Sequence, residues 1–467
     1  MDDKCLGVKL MKQLRNEDKI ISQVKNIHMI GIGGSGMCPL AEILHSKGYI
    51  LTGSDNNESD PLKRIKALGI KVYMGHNAEN IKDAELVVYS AAISAENPEL
   101  CAAREKGIPT MERSHLLGAL TRYFDNVIGV CGTHGKTTVT SMITQILYLN
   151  KMEPNAVIGG KLPLIGSNGL VGNSQTMVCE SCEFVDTFLQ MSPDVSVLLN
   201  IDNDHLDYFK TMDRLVLSFH NFIAMSKLCY FNGDDELAKK ATLGISAKTV
   251  TFGFENTNDY YAENVVPGKF GFCFDVISKG EKLTSIELHA PGRHNVLNAL
   301  ASFAVCFEQG VSAKGIKDAI EKFTGAGRRF EFLGEYNGFT LADDYAHHPT
   351  EIKATLTAAK NLSYNRVIAV FQPFTFSRTA LLKDEFIEAL SVADKVILTP
   401  IMGSREVNTY GITSEQLAEK LSDAVVVDGF ENIADKIIET AKENDIVITM
   451  GGGDIYKAAH IVQEKLG

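Results

Sequence analysis

Asn126-Val127-Ile128-Gly129-Val130-Cys131-Gly132-Thr133-His134-Gly135-Lys136-Thr137-Thr138 is the stretch that decides the fold. Residues Asn126–Val130 have the apolar, β-branched pattern of a buried strand, Gly132–Lys136 is a glycine turn, and helical periodicity follows to about Asn150. A strand that turns on glycine into a helix aims unpaired helix N–H groups at the turn and makes a seat for phosphate. The backbone of Gly132, Thr133, His134 and Gly135 would cradle phosphates, with Thr137 and Thr138 opening the helix. Lys136 would reach the β- and γ-phosphates and Thr137 would bind Mg2+. The first glycine of the full G-x-x-x-x-G-K-[ST] pattern would fall at Val130, so this is a shortened variant.

The same unit recurs on both sides of that stretch. Upstream, the strand pattern Asn26–Ile32 runs through glycines into a helical stretch ending near Lys47. Downstream, Arg366–Phe371 opens a third unit, with later strands at Lys395–Thr399 and Asp445–Met450. Strands alternating with helices imply parallel sheets and right-handed crossovers. A length of 467 residues suits three domains at roughly 150 residues each. The restarts predict an α/β protein: a Rossmann-like domain over 1–122, a P-loop domain with a parallel sheet over 123–333, and a Rossmann-like domain over 334–467. Between Lys248 and His289, alternation and turn residues predict an antiparallel excursion before a helix beginning near Asn295.

The upstream turn reads G-x-G-x-x-G through Gly31, Gly33, Gly34, Ser35 and Gly36, and Asp55 follows 22 residues after Gly33. Such a turn lets the backbone approach a diphosphate, with the acidic residue reaching a ribose or sugar hydroxyl. NAD and UDP-sugars both qualify. A nicotinamide-dependent oxidoreductase would use this loop and leave Lys136 idle; a switch-type ATPase would do the reverse. A non-catalytic ATP-dependent partner-binding module is a third option. A ligase that uses ATP on a nucleotide-linked substrate accounts for both loops.

Glu180 ends the strand pattern Thr176–Cys179, where a P-loop protein places its acidic metal partner; Glu183 and Asp186 read as outer partners of the metal or as solvated helix charges. Val195–Leu199 then runs into Asn200-Ile201-Asp202-Asn203-Asp204-His205-Leu206-Asp207. A strand ending in such a polar cluster is poor core material. A lone histidine is usually not a ligand, but carboxylates around His205 make it a candidate. The net charge of −12, from 46 basic and 58 acidic residues, argues against nucleic acid or anionic membrane as a partner. No apolar run is long enough for a membrane span, and Met1–Lys19 has no apolar targeting core. Nine scattered cysteines, including Cys179 and Cys182 as a lone C-x-x-C, read as reduced thiols of a cytoplasmic protein.

Six strings together resemble the Mur ligase superfamily: His28–Gly34, the GTHGKTT loop, Asn203–Asp207, Gly292–Asn298 (GRHNVLN), Gly327–Phe330 (GRRF) and Asp343–Pro349 (DDYAHHP). They span residues 28 to about 456 in the family's order. The resemblance implies an ATP-dependent ligase that activates the carboxylate of UDP-N-acetylmuramate as an acyl phosphate and joins L-alanine to it. A recycling relative adds a tripeptide instead; the Asn203–Asp207 string favours alanine. The resemblance gives Lys136 the ATP phosphates, Thr137 and Glu180 one Mg2+, and His205 a second Mg2+, with Mn2+ as a substitute. It gives Asn295 and Asn298 the adenine, Arg329 and Asp344 the nucleotide from the third domain, and His348 and Arg378 the incoming amino acid. Arg378 is the arginine of the stretch Gln372–Thr379 (QPFTFSRT). By their residue types alone, Asn295 and Asn298 would be helix-cap and solvated-face residues, Arg328 and Arg329 a surface pair, and His347–Pro349 a polar turn. Two departures stand out. Phe374 occupies a position where many relatives carry histidine, and Cys179-Glu180-Ser181-Cys182-Glu183 replaces a run of alanine and aspartate. Other members use a carbamylated lysine near the second metal, and Lys227 follows that region.

Overall fold

The computed structural model describes residues 15–268, 271–404 and 406–467. Most of the polar start Met1–Lys19 and the side chain of Asp207 lie outside the described residues. The chain forms two compact units.

The first unit comprises Met1–Lys136, Lys151–Gly159 and Ser167–Val250. It opens with five parallel strands, Asn26–Ile30, Ile50–Asp55, Lys71–Met74, Leu86–Tyr89 and Thr110–Glu112. In space they run third, second, first, fourth, fifth, the order of a dinucleotide-binding half. Ile27, Met29, Val87 and Val88 are buried because helices cover both faces, which is why these strands read as apolar runs rather than alternations. Helix Cys38–Ser46 starts two residues beyond Gly36 with proline in its first turn, where the missing N–H costs nothing.

The P-loop strand Asn126–Cys131 pairs in parallel with Val195–Leu198 on one side and Thr176–Glu180 on the other. Leu228–Asn232 flanks Val195–Leu198, and Asn155–Leu162 flanks Thr176–Glu180, again in parallel. Parallel pairing sends Gly132, Ser181 and Asn200 off the same C-terminal edge, where open α/β sheets bind ligands. Lys227 precedes Leu228–Asn232 and so lies at the opposite, N-terminal edge, its Nζ 3.0 Å from Asp194 Oδ1. That is the end of the sheet away from the Gly132–Lys136 turn.

The second unit comprises Thr137–Asn150, Gly160–Gly166 and Thr251–Gly467. Helix Lys136–Leu149 is buried on all sides from Thr137 to Leu147. Gln145 Nε2 donates to Ala319 O at 2.9 Å, tying it to helix Ala313–Ile320. Tyr260–Pro267, Phe272–Ser278 and Glu281–Leu288 form the expected antiparallel meander. Lys248–Gly253 differs: it meets Tyr260–Pro267 in parallel, over Phe252 and Gly253 alone, because the short link between them sidesteps instead of reversing.

The last sheet has six strands in the order Glu331–Tyr336, Phe339–Asp344, Asp445–Met450, Arg366–Phe371, Lys395–Leu398, Ala424–Val426. The first pair is antiparallel and the rest parallel. The sheet therefore begins well before Arg366, and residue 333 falls inside its first strand. Asn337-Gly338, both at positive φ (48° and 84°), make the two-residue turn that joins the pair, the Asn-Gly hairpin signal. Helices cover both faces: Leu356 and Phe386 pack on one, Ile433 and Ala459 on the other. Among the described residues no helix is long and apolar enough to cross a membrane.

Candidate active site

The Gly132–Lys136 turn is held by the neighbouring strand's end. Thr133 N donates to Asn200 O at 3.1 Å, His134 N to Asn200 Oδ1 at 2.8 Å, and Asn200 Nδ2 returns to His134 O at 3.1 Å. Asp202 N donates to Thr133 Oγ1 at 2.9 Å, and the Asp202 carboxylate lies 3.0 Å from His134 Nε2. The polar cluster after Val195–Leu198 is thus a clamp on the phosphate loop, a role its composition hinted at without specifying. Gly132 stands at φ 136°, and a Cβ there would press on Leu199 Cβ and the Asn200 backbone at 3.0–3.1 Å, so both conformation and space require glycine.

Lys136 folds back over the turn. Its ammonium donates to Gly132 O at 2.5 Å and Thr133 O at 3.0 Å, and lies 3.0 and 2.9 Å from the two carboxylate oxygens of Glu183. Burial alone would depress the ammonium's pKa, but the carboxylate charges of Glu183 and Glu180 outweigh it and hold the group above its ordinary value. Lys136 is therefore a fixed cation at neutral pH. Glu180 ends its strand as expected and accepts from Gly159 N at 2.9 Å; a Cβ at Gly159 would overlap the carboxylate, so the glycine keeps the space it occupies. A threonine hydroxyl and a carboxylate are the hard oxygen donors Mg2+ takes, and Thr137 and Glu180 fit that chemistry. His205, at φ 55°, sets its ring against Phe184 with centroids 4.8 Å apart, and its Nε2 lies 3.5 Å from Asp204 Oδ2. Imidazole suits softer ions better than Mg2+, so the adjoining Asp204 carboxylate is the harder donor there. Cys179 is buried, Cys182 is exposed and neither forms a disulfide.

In the second unit the sequence-derived residues sort by what already engages them. Asn295 and Asn298 are buried within helix His294–Glu308, whose cap is Arg293, so neither is a cap. Asn295 Nδ2 donates to Pro291 O at 2.6 Å and Asn298 Nδ2 to Asn295 Oδ1 at 2.9 Å, fixing both amides. Arg328 is occupied structurally: Nε bonds Asp343 at 2.8 Å, and Nη1 and Nη2 bond Gly453 O and Gly451 O at 3.0 and 2.7 Å. Arg329 beside it lies over the Tyr345 ring at 5.2 Å and 4.0 Å from Glu351 Oε1. Asp344 is buried and accepts from Phe330 N at 2.9 Å, Ala346 N at 2.7 Å and Thr355 Oγ1 at 3.2 Å. Burial pushes its carboxyl up to about 6, against the opposing pull of Arg329. It is a clamp that sets where Arg329 stands. His348 caps helix Pro349–Lys360, its Nδ1 3.3 Å from Thr350 N, with Glu351 completing the capping box. Arg378 stands in helix Phe376–Leu381, anchored where Ser377 N and Oγ donate to Glu406 at 2.8 and 2.5 Å. Phe374 meets the His347 ring edge-on at 6.4 Å, so an aromatic contact fills the position where histidine was expected.

The Gly31–Gly36 turn is held like the first. Gly31 N and Ile32 N donate to Ser54 O at 2.8 and 3.1 Å, and Gly33 N donates to Asp55 Oδ2 at 3.0 Å. Asp55 thus organises the loop with one oxygen, while Oδ1 accepts from Asn57 N at 3.1 Å. Asn168 Nδ2 donates to Ser35 O at 2.5 Å. Sequence reading missed Arg113, which opens helix Arg113–Arg122 and reaches the turn: its Nε and Nη1 lie 3.2 Å from where a Cβ at Gly36 would stand. No local pattern marked it, since its approach is made by folding.

Three family models match this chain in succession: the Mur ligase family catalytic domain over residues 26–125, the Mur ligase middle domain over 130–306, and the Mur ligase glutamate ligase domain over 328–453. The UDP-N-acetylmuramate–L-alanine ligase of Acetivibrio thermocellus is 43% identical over 452 residues, covering 94% of this chain and 96% of that protein. Its counterpart in Caldicellulosiruptor bescii is 44% identical over 444 residues, covering 93% and 98%. The crystal structure of the UDP-N-acetylmuramate-alanine ligase of Thermotoga maritima superimposes with a TM-score of 0.80 at 28% identity, covering 94% of this chain and 98% of that one. Two glycine turns with their clamps, a half-buried lysine over the second, and these likenesses along nearly its whole length agree: the chain belongs to the Mur ligase family.

Proposed function

We propose that this protein is a cytoplasmic ATP-dependent ligase that joins L-alanine to the carboxylate of UDP-N-acetylmuramate, an early step of peptidoglycan synthesis. The observation that carries the reading is Lys136, a half-buried cation folded over a glycine turn, in a chain that also holds a second, lysine-free glycine turn. The names of relatives above 40% identity support the choice of substrates.

In the first step the muramate carboxylate oxygen attacks the γ-phosphorus of ATP; the bond to the β,γ-bridging oxygen breaks and ADP leaves. Two anions must meet, and Lys136 lowers that repulsion by placing its charge on the β- and γ-phosphates. The amide groups of Gly132, Thr133, His134 and Gly135 and the hydroxyls of Thr137 and Thr138 orient the triphosphate. Thr137 with Glu180, and His205 with Asp204, would hold Mg2+ (or Mn2+ in its place), which neutralises phosphate charge when bound. Asn295 and Asn298 take the adenine, and Arg329, set by Asp344, takes the phosphates. Gly31, Gly33, Gly34, Ser35, Gly36 and Asp55 seat the UDP. In the second step the alanine amine, placed by His348 and Arg378, attacks the acyl carbon, phosphate leaves and the amine sheds a proton. The domains follow the division 1–122, 123–333 and 334–467, with the second boundary moved back to the start of strand Glu331–Tyr336.

The test is ADP release with UDP-N-acetylmuramate and each of the twenty amino acids, with the tripeptide as a further acceptor. L-alanine is expected to give the highest kcat/KM. Preference for the tripeptide, or ADP release indifferent to any acceptor, would sink the reading.

A further inference from the structure

The mechanism leaves unused a buried acid that lies against the Gly132–Lys136 turn. Glu183 is 1% exposed, and both of its oxygens lie within 3.0 Å of Lys136 Nζ, the atom that a triphosphate must also claim. The backbone that delivers it is strained. Val185 (φ 54°, ψ 32°) and Asp186 (φ 57°, ψ 23°) stand successively in the left-handed region, where a β-branched valine is a marked outlier. Such a residue persists only where its surroundings dictate it. Here they do: the Asp186 carboxylate accepts from Tyr208 Oη at 2.8 Å and from Ser218 Oγ, Asp186 N donates to Glu183 O at 2.9 Å, and Thr187 Oγ1 donates to Cys182 O at 2.9 Å. A strained turn so firmly tied has one evident product, a carboxylate aimed at the phosphate-loop lysine.

We propose that Glu183 is a positioning residue that holds the Lys136 ammonium in the nucleotide-free loop, yields it to the triphosphate, and takes it back as ADP departs. The inference rests on the assignment of Gly132–Lys136 as the ATP seat. Its physical basis is a competition of anions. A buried ammonium stripped of its carboxylate is costly, so removing Glu183 raises the free energy of the empty loop more than that of the loaded one. Binding then gains the difference, and product release loses it. Glu183 is thereby distinguished from a merely structural acid, whose loss would weaken binding or leave it unchanged.

The experiment compares wild type, Glu183→Gln, Glu183→Asp, Lys136→Ala and the Lys136→Ala/Glu183→Gln double variant, each checked for a cooperative melt. ADP with Mg2+ is titrated calorimetrically, and kcat and KM for ATP are measured on the active variants. Glu183→Gln is expected to bind ADP roughly five- to tenfold more tightly and to melt lower when empty but gain more from ADP, as a ligand confined to the folded state requires. Its kcat and KM for ATP should fall together, because the departing nucleotide no longer faces a competitor for the lysine. Glu183→Asp, which keeps the charge on a shorter arm, should sit between the two. In the Lys136→Ala background the Gln substitution should lose its effect on ADP. Unchanged or weaker ADP binding in a folded Glu183→Gln, or in Glu183→Asp should Gln not fold, overturns the proposal while leaving the ATP seat intact. A tightening that survives in the double variant also overturns it, since Glu183 would then be repelling phosphate directly. Wild type that binds no ADP overturns the seat and the proposal together.

Discussion

The Gly31–Gly36 and Gly132–Lys136 turns are both tied down by the strand beside them in their sheets, yet they keep their positive charge in different places. The first takes its ties from Ser54 O and Asp55, the second from Asn200 and Asp202. The second carries its cation within the turn, and an empty turn with a buried ammonium needs a resting anion, which Glu183 supplies. The first has no charge in the turn; Arg113 approaches from another helix and reaches Gly36 from outside. A reacting triphosphate needs its counter-charge rigidly placed where negative charge shifts during transfer, whereas a diphosphate that serves as a handle needs only to be held. On the proposed assignment of ATP to the second turn and UDP to the first, the difference in charge placement follows from the difference in task.

That comparison breaks most decisively at Lys136. Lys136→Ala should remove about 2–4 kcal/mol of transition-state stabilisation, a loss of roughly 30- to 1,000-fold in kcat/KM by ADP release. Near-normal turnover would show that the turn works by its amides alone. A second large effect lies beneath the other turn. Ser54, whose carbonyl holds Gly31 and Ile32, donates its hydroxyl to Glu99 at 2.6 Å, and Glu99 is fully buried with Asn80 Nδ2 at 2.6 Å, His76 Nδ1 at 3.1 Å and His28 Nε2 at 3.7 Å. Burial alone would raise the Glu99 carboxyl, but the nearby His28 imidazole and hydrogen bonds from Ser54 and Asn80 more than offset it and draw it down to about 2. Folded Glu99 therefore binds fewer protons than unfolded Glu99, whose value is 4.5. Its contribution is whole above about pH 4.5 and drains away as pH falls towards 2. Glu99→Gln should cost about 2 kcal/mol at pH 7 and flatten this acid limb in chemical-denaturation curves. An unchanged limb would mean that the network does not set the loop's stability.

Smaller in effect, and aimed at the handle, is Arg113→Ala. It should raise KM for UDP-N-acetylmuramate roughly tenfold, about 1.4 kcal/mol, with kcat kept within about twofold. A fall in kcat with KM unchanged would place Arg113 on the reacting end and erase the distinction between the two turns.

Much of the architecture was legible in the sequence because strand-to-glycine-to-helix units announce themselves locally. Asn26, Asn126, Arg366 and Asp445 each open the strand that their apolar runs suggested. The hairpin before Arg366 was not read, although Asn337-Gly338 carries a local turn signal, because its strand Glu331–Tyr336 is only partly buried and lacks an apolar run. In the site, residue types located Lys136, Glu180 and the Asn200–His205 cluster but not their relations. Glu183 looked like a solvated helix charge, yet it is buried on Lys136 by two left-handed residues that no pattern foretells. Asn295 and Asn298 looked like cap and solvated-face residues, yet the helix begins at His294 and buries both. His348 and Asp344 are engaged by their own backbones, a fact that depends on three-dimensional closure and not on spacing.

The smallest expected effect tests the edge of the sheet on which the Gly132–Lys136 turn depends. Lys227 and Lys136 flank the same set of parallel strands, but Lys136 follows a strand and Lys227 precedes one. Parallel strands gather their loops by direction, so Lys227 is consigned to the N-terminal edge however near in sequence it lies to the Asn203–Asp207 string. Its side chain is 69% exposed and pairs with Asp194, which is already engaged by Val127 N at 3.0 Å. An exposed pair of this kind contributes about 0–1 kcal/mol, so Lys227→Ala should shift stability by less than about 0.5 kcal/mol. Turnover should match wild type with and without added bicarbonate, because a carbamate at that edge would face solvent and not phosphate. A tenfold loss of turnover, restored by bicarbonate or a short carboxylate, would mean that strand direction does not govern where this site gathers its groups.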